Sequence, residues 1–421
     1  MKRTKLVAVV AAAAMVGTFA ASGVAGARVR TDARGVTSDT ITVGGLTDSQ
    51  QPEAAAGAKA ALDAANDAGG VNGRKFDYLG GNDDKGDVSQ SLALGKKLVQ
   101  QDGVFAVVPV VSPNAASAEQ FFLQQKVPFF GWGINTGFYN NQYGFGFSGA
   151  VVPPPPVTTA GSTWGDLISQ LYKNDGDSSG AKGKSAAVIA EDNDSGKTGV
   201  QVIGASAKYA GMKLSYQKAS IPAPPATVGD YSPYVNDIMT ANNGKPVDVV
   251  FVVTSFSNVL GLSKALLTAG FTGILTNAVA YDARVVSAAS GQTVFTQFSL
   301  PEAAPDNPNM QKVVDTLEKY LPSDQAITQG VLAGYFSADF FVKAVKKAGK
   351  NLTPQSLQKA ASKFTYQIKD VIGPTPFPDA FKFGTPCGAL AQSDGTAYKV
   401  AVPYACYTNI NLKTLKPISQ K

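Results

Sequence analysis

Apolar runs of strand length alternate with amphipathic stretches of helix length from Ile41 onwards. Ile41–Leu46 (ITVGGL) reads as a strand. Pro52–Ala68 reads as a helix, with a proline near its start and Gly69-Gly70 past its end. Lys75–Leu79 predicts a second strand, and Asp87–Gln101 a second helix with Leu92, Leu94, Leu98 and Val99 turned inward. Val104–Val111 is continuous and valine-rich, the pattern of a strand buried on both faces of a parallel sheet. Ser112-Pro113-Asn114 breaks that run, with Ser112 or Asn114 placed to cap a helix over Ala115–Gln125. Val127–Gly131 (VPFFG) follows as a fourth strand. Such a βαβ series predicts an α/β fold with a parallel, doubly wound sheet and right-handed crossovers.

The segment Gly144–Pro156 (GFGFSGAVVPPPP) interrupts the alternation. Consecutive prolines exclude a central strand or a helix interior, so this segment reads as a connection between two lobes. The alternation then restarts. Helices are predicted at Trp164–Tyr172, Thr198–Tyr209, Tyr234–Ala241 and Asn258–Ala269, between strands at Ser185–Ala190, Met212–Tyr216, Val247–Val253 and Gly273–Thr276. Further helices are predicted at Asn309–Tyr320, Ile327–Ala348 and Pro354–Lys363, and Phe377–Asn411 carries short strand-like pieces. Two successive series imply two similar α/β lobes, as expected of a chain too long for one hydrophobic core.

The first residues change the cellular picture. Lys2, Arg3 and Lys5 precede an alanine-rich apolar run from Leu6 to Ala21, and Ala25-Gly26-Ala27 offers a small-x-small cleavage site. This is the layout of a signal peptide over residues 1–27, and it predicts export to the periplasm or the extracellular envelope space. No cysteine lies near the cleavage site to take a lipid anchor. Losing those three basic residues lowers the formal charge from +6 to +3, too little to argue for nucleic acid. The only two cysteines, Cys387 and Cys406, most simply close a short disulfide loop in an oxidising compartment. With no histidine anywhere, His-dependent nucleophilic triads and His-ligated metal sites are excluded, and two thiols alone make a zinc site unexpected.

Several pieces, in order, carry a resemblance: ITVGGL, ANDAGGVNGRKFDYLGGNDD, KKLVQQDGVFAVVPVVS, VPFFGWG, KSAAVIAEDNDSGKTG and GYFSADFFVKAVKKAG. From Thr40 to Lys363 the chain resembles the type I solute-binding proteins of bacterial ABC transporters, in the branch of the leucine/isoleucine/valine-binding proteins. The resemblance implies two Rossmann-like lobes joined by three crossings, near Ser148–Pro156, Leu300–Glu302 and Ile372–Phe377. Lobe one would comprise residues 38–148 plus 302–372, and lobe two residues 149–301 plus 373–421. A small solute would be trapped between them and passed to a membrane permease by a monomer, without cofactor, metal or catalysis.

In that family the loop after the third strand holds the ligand carboxylate, which points to Ser112, Pro113 and Asn114. The loop after the fourth strand supplies a second wall, here Trp132 and Gly133; Trp132 either stacks on the solute or packs a lobe. The first β-α loop, Asp48, Ser49 and Gln50, points at the cleft or caps the helix. From lobe two, Asp192 and Ser195 follow one strand, and Thr254, Ser255 and Phe256 follow another. Relatives commonly carry a tyrosine before the glycine of the first of these loops, where this chain has Ser195-Gly196. Tyr281 and Asp282 follow a further strand, and Asp282 is either an acceptor for a ligand ammonium or a solvated surface carboxylate. A branched-chain or other amino acid therefore competes with an aromatic carboxylate, an amide or a related small acid as the expected solute.

Other motifs carry less. Ser195-Gly196-Lys197-Thr198 ends like a phosphate loop, but Glu191 stands where its first glycine belongs, and Asp192 and Asp194 repel phosphate. Ser215-Tyr216-Gln217-Lys218 matches S-x-x-K within a predicted strand and lacks companion motifs. Asp83, Asp84 and Asp87 lack EF-hand spacing and read as an acidic turn. A hydrolase on the same scaffold would need an acid–base pair such as Asp192 with Asp282 or Lys197, and an exported ligand sensor would need only the binding cleft.

Overall fold

The computed structural model describes residues 33–418, so the leader read over residues 1–27 lies outside the described residues. The first half opens with β1 (Thr40–Thr47), α1 (Ala54–Asp67), β2 (Lys75–Asp83), α2 (Val88–Lys96) and β3 (Ala106–Val111). It continues through α3 (Ala116–Gln124), β4 (Phe129–Gly131) and β5 (Gly144–Gly146). These strands form a parallel sheet in the order β2-β1-β3-β4-β5. Alternate residues explain how it is covered. Ile41, Val43, Val108 and Phe130 join the larger core, whereas Leu46, Val107, Val110 and Phe129 join a second cluster with Phe122 and Leu98. The helix read through Gln101 ends at Lys96 and is extended by a wider π turn over Lys97–Gln101.

The second half contains β6 (Thr159–Gly161), α4 (Thr163–Asn174), β7 (Ser185–Glu191), α5 (Asp194–Tyr209), β8 (Lys213–Ile221) and α6 (Ser232–Thr240). Then come β9 (Val249–Val253), α7 (Phe256–Thr268), β10 (Ile274–Asn277) and β11 (Thr293–Thr296). Helices α8 (Pro308–Tyr320), α9 (Gln329–Ala348) and α10 (Pro354–Ala361) precede the hairpin β12 (Thr365–Ile368) and β13 (Ile372–Pro376). The chain closes with β14 (Cys387–Ser393), β15 (Tyr398–Cys406) and β16 (Asn409–Asn411), the last paired with β6. The second sheet runs β15-β14-β11-β10-β9-β7-β8, parallel from β8 to β11 and antiparallel beyond. Its parallel part repeats the order of the first sheet, so each sheet reverses direction beside its own first strand.

Helix α9 returns to the first sheet and packs against α1, β3 and β4. The two helices touch through bare backbone: a Cβ on Gly57 would meet the Val331 carbonyl oxygen at 1.9 Å, and one on Gly334 would meet that of Ala54 at 1.8 Å. The chain thus passes between the sheets three times, after β5, after β11 and after β13. The proline-rich first passage holds neither helix nor strand over residues 151–158. The disulfide expected between Cys387 and Cys406 is present, joining directly paired positions of β14 and β15.

Helix α5 starts at Asp194, four residues before the sequence-based start. Asn193 caps it by accepting from the Gly196 N–H at 2.7 Å, so Ser195–Thr198 is helix and not a phosphate loop. The acidic turn is also structural. Asp84 is buried against Ser112, Asp87 caps α2 through the Gln90 N–H, and Asp83 accepts from the Lys85 N–H.

Candidate functional site

Loops leaving the C-terminal strand ends of both sheets converge on one cavity of about 230 Å³. In open α/β sheets ligands bind at that edge, beside the point where strand order reverses. The first lobe lends Asp48, Gln50 and Gln51 after β1, Pro113 after β3, and Trp132 and Ile134 after β4. The second lends Glu191, Asn193 and Ser195 at the β7–α5 junction, Thr254, Ser255 and Phe256 after β9, and Ala278 and Val279 after β10. Because the sheets share one strand order, Asp48 and Glu191 stand at corresponding positions, each at the end of its sheet's first strand.

Between α4, α5 and β11 the cavity wall is apolar, an arm lined by Trp164, Gly199, Val202, Ile203 and Phe295. The Trp164 indole stacks on Phe295 with centroids 4.3 Å apart and meets Phe251 edge-on at 5.8 Å. A Cβ on Gly199 would lie 2.8 Å from the Val253 side chain, so the glycine lets α5 approach β9 this closely. Hydrogen bonds cross the cleft. The Trp132 indole N–H donates to Gln297 Oε1 at 2.6 Å, the Ser195 hydroxyl to the Ile134 carbonyl at 3.4 Å, and Arg284 to Glu53 at 3.2 Å.

The charged groups at the wall are carboxylates, and no Lys or Arg lines the cavity among the described residues. Glu191 accepts from the Ser255 N–H at 2.8 Å and the Asn258 amide at 2.7 Å, at the N-terminus of α7. Asp48 accepts from the Gln50 and Gln51 N–H groups at 2.8 and 3.1 Å. Burial pushes the Asp48 carboxyl up to about 6, opposed by those two donors and reinforced by the nearby Asp84 and Asp83 charges.

A carboxyl with a folded pKa above its unfolded value binds its proton more tightly in the folded state. Its ionisation therefore opposes folding fully above about pH 6, and the penalty fades as pH falls towards 3.8. Asp48→Asn keeps an acceptor for both N–H groups without the charge. Chemical denaturation at pH 8 should find it more stable than the native chain by about 3 kcal/mol. The difference should shrink through pH 6 to 4, and equal stability at pH 8 would show that Asp48 bears no such burden.

The structure brings Gln50, Pro113, Trp132, Ser195, Thr254, Ser255 and Phe256 to the cavity, all of them expected from the sequence. It places the other expected residues elsewhere. Ser112, read as the anion anchor, is fully buried; its hydroxyl donates to Asp84 at 2.5 Å and accepts from the Asn114 N–H at 3.0 Å. Asn114 therefore has its amide engaged within the loop. Gly133 lies where a Cβ would strike the Gly149 carbonyl oxygen at 2.0 Å, and Ser49 is exposed outside the wall. Asp192 is exposed and pairs with Lys197 at 2.8 Å. Tyr281 donates to Glu302 at 2.8 Å. Asp282 is neither an acceptor at the cavity nor a solvated carboxylate: it is buried and held by Arg284.

The loop of Asp48 was expected to point at the cleft, but sequence reasoning missed Glu191 as a wall residue and missed the apolar arm. Glu191 was findable as the acidic residue at the end of the strand corresponding to the one before Asp48. Trp164 and Val202 fell inside predicted helices, and Phe295 fell in no predicted element.

The family model described as periplasmic binding protein matches residues 40–397. No curated protein matches the chain. Among solved structures, a fatty acid ABC transporter substrate-binding protein from Thermomonospora curvata superposes with a TM-score of 0.70 at 18% identity, covering 89% of this chain and 95% of that one. A solute-binding protein from R. palustris in complex with benzoate gives a TM-score of 0.65 at 15% identity, covering 87% and 98%. The leucine-, isoleucine-, valine-, threonine- and alanine-binding protein from Brucella ovis, in a closed conformation, gives 0.65 at 18% identity, covering 90% and 97%. At these identities the likeness shows the fold alone, and that fold is the two-lobed one expected from the sequence. The chain belongs to the periplasmic binding protein family, in its type I branch.

Proposed function

We propose that the chain is the exported solute-binding component of an ABC importer, and that its solute is a largely apolar molecule enclosed between lobes 38–148 plus 302–372 and 149–301 plus 373–421. The reading rests on one observation: residues from both lobes line a single cavity whose wall between α4, α5 and β11 is aromatic and aliphatic. Such a wall gains affinity by removing apolar surface from water, with few polar groups left to orient the solute. An amino acid or small carboxylate finds less support. Its expected anchor at Ser112 is engaged with Asp84, and its expected ammonium acceptor at Asp282 with Arg284. Export through the leader at residues 1–27 and delivery to a membrane permease follow from this role. Catalysis is not part of it, since Asp192 pairs with Lys197 at the surface and not at the cavity wall.

Extraction of the purified native protein with organic solvent, followed by mass spectrometry, tests the proposal. The expected result is one apolar compound per chain, recovered unchanged when it is added back and re-extracted after prolonged incubation. Conversion of that compound to a product would favour an enzyme, and recovery of a free amino acid would overturn the apolar reading.

A further inference from the structure

The helix N-termini that would greet an anion at this cleft are already occupied by the protein's own acceptors. Glu191 takes the Ser255 N–H at the start of α7, Asp48 takes two N–H groups before α1, and the Asn193 side chain takes the Gly196 N–H in α5. At the third-strand loop the Ser112 hydroxyl takes the Asn114 N–H. Each of these N–H groups thereby has an acceptor before a solute arrives, and at α7 that acceptor is a carboxylate. The cations nearest the cleft in sequence are also engaged, Arg284 by Asp282 and Glu53, and Lys197 by Asp192. A ligand carboxylate entering here would be desolvated against two resident carboxylates, with no Lys or Arg on the wall to repay the cost.

What the wall lacks is donors from the ligand. Glu191 and Asp48 are buried acceptors at the cavity, and the Gln50 side-chain oxygen at the same wall is buried with no hydrogen-bond partner. At the far end, a second void of about 60 Å³ adjoins the first and shares Val151, Trp164, Val202, Phe295 and Gln297 with it. Apolar wall therefore runs from the two carboxylates to the Trp164–Phe295 stack, and the adjoining void beyond it is lined by Thr159, Thr163, Thr385 and Asn409 as well.

Resting on the apolar reading given above, we propose that the solute is an elongated apolar molecule whose polar end donates hydrogen bonds and carries no negative charge, an alcohol or an amine. Its head lies between Asp48 and Glu191, and its tail passes between α4 and α5 along Trp164, Val202 and Phe295. The two neighbouring structures whose names include a fatty acid and benzoate share the fold but bind acids, so the head group is where this chain departs from them.

The test uses three probes of one chain length, decan-1-ol, decylamine and decanoate, titrated at pH 8 into the delipidated full-length protein. Both tryptophans of the chain line the cavity, so intrinsic fluorescence reads occupancy directly. The alcohol and the amine should saturate the signal, with decanoate at least about tenfold weaker, the scale of one charge-assisted hydrogen bond. Asp48→Asn should narrow the gap between amine and decanoate, and thermal unfolding will show that this variant is folded. Across hexan-1-ol to decan-1-ol the affinity should rise roughly fourfold per methylene if the tail is buried along its length. Decanoate binding as tightly as the alcohol would overturn the head-group inference and leave the apolar reading standing. A flat chain-length series would overturn the elongated tail. Failure of all three probes to saturate the signal would overturn the apolar reading itself.

Discussion

Gly334→Val should cost the protein about 3 kcal/mol of stability, measured by urea denaturation, the upper end of what overpacking a closed interior costs. The reason is geometric. Helices α1 and α9 meet backbone to backbone, and the added Cβ would stand 1.8 Å from the Ala54 carbonyl oxygen, an atom with no side-chain freedom to move aside. Relief requires the whole of α9 to shift, and α9 carries Phe336, Phe340 and Phe341 into the main core. Phe340 alone stacks on Tyr366 at 4.6 Å and meets Phe130 edge-on at 5.1 Å, so the displacement would spread through an aromatic cluster. Gly57→Ala, on the facing helix, should be destabilising for the same reason. Combined with Gly334→Ala it should cost less than the sum of the two, because the first shift already makes room for the second. Stability of Gly334→Val within about 0.5 kcal/mol of the native chain would mean that the helices are not in this contact.

Val202→Trp should weaken solute binding roughly a hundredfold while leaving the fold intact. Val202 is half-buried on α5, facing the apolar arm, and an indole there would fill the space in which the solute is proposed to lay its tail. Excluding four methylenes from that space removes about 3 kcal/mol of transfer free energy, or roughly a hundredfold in Kd. The thermal transition should remain cooperative, and the native compound should be missing from solvent extracts of the variant. Retention of the compound at native occupancy would place the solute outside the arm.

The contrast between those two sites shows which features a sequence carries. Both lobes, their alternation of strand and helix, and the Thr254–Phe256 loop were legible because each depends on local patterning. A buried apolar run ends, a helix begins, and the residues between must lie at the sheet's C-terminal edge. The same logic puts Trp132 beside the cavity, whose wall it lines. Ser112 was placed wrongly because its fate is decided by Asp84, a residue at the end of the neighbouring region of chain, whose carboxylate takes the hydroxyl. Tyr281 and Asp282 failed for a more local reason. The Asn277 side chain accepts from the Val279 and Ala280 N–H groups, and this turn presents Ala278 and Val279 to the cavity in their stead. The apolar arm was invisible because periodicity says that Val202 and Ile203 face inward, and not whether another side chain or a void meets them. The early start of α5 was readable, since asparagine is among the strongest caps, but the Ser-Gly that follows looked like loop.

The central claim is that one solute is held by both lobes at once. Each lobe contributes a tryptophan to the wall, Trp132 after β4 and Trp164 in α4. Replacing each in turn by phenylalanine leaves a single reporter on one side or the other, since the chain has two tryptophans. Titrated with decan-1-ol, both single-tryptophan proteins should give a saturating fluorescence change at one ligand per chain. A saturating change from one of them and a flat trace from the other would contradict a solute shared between the lobes.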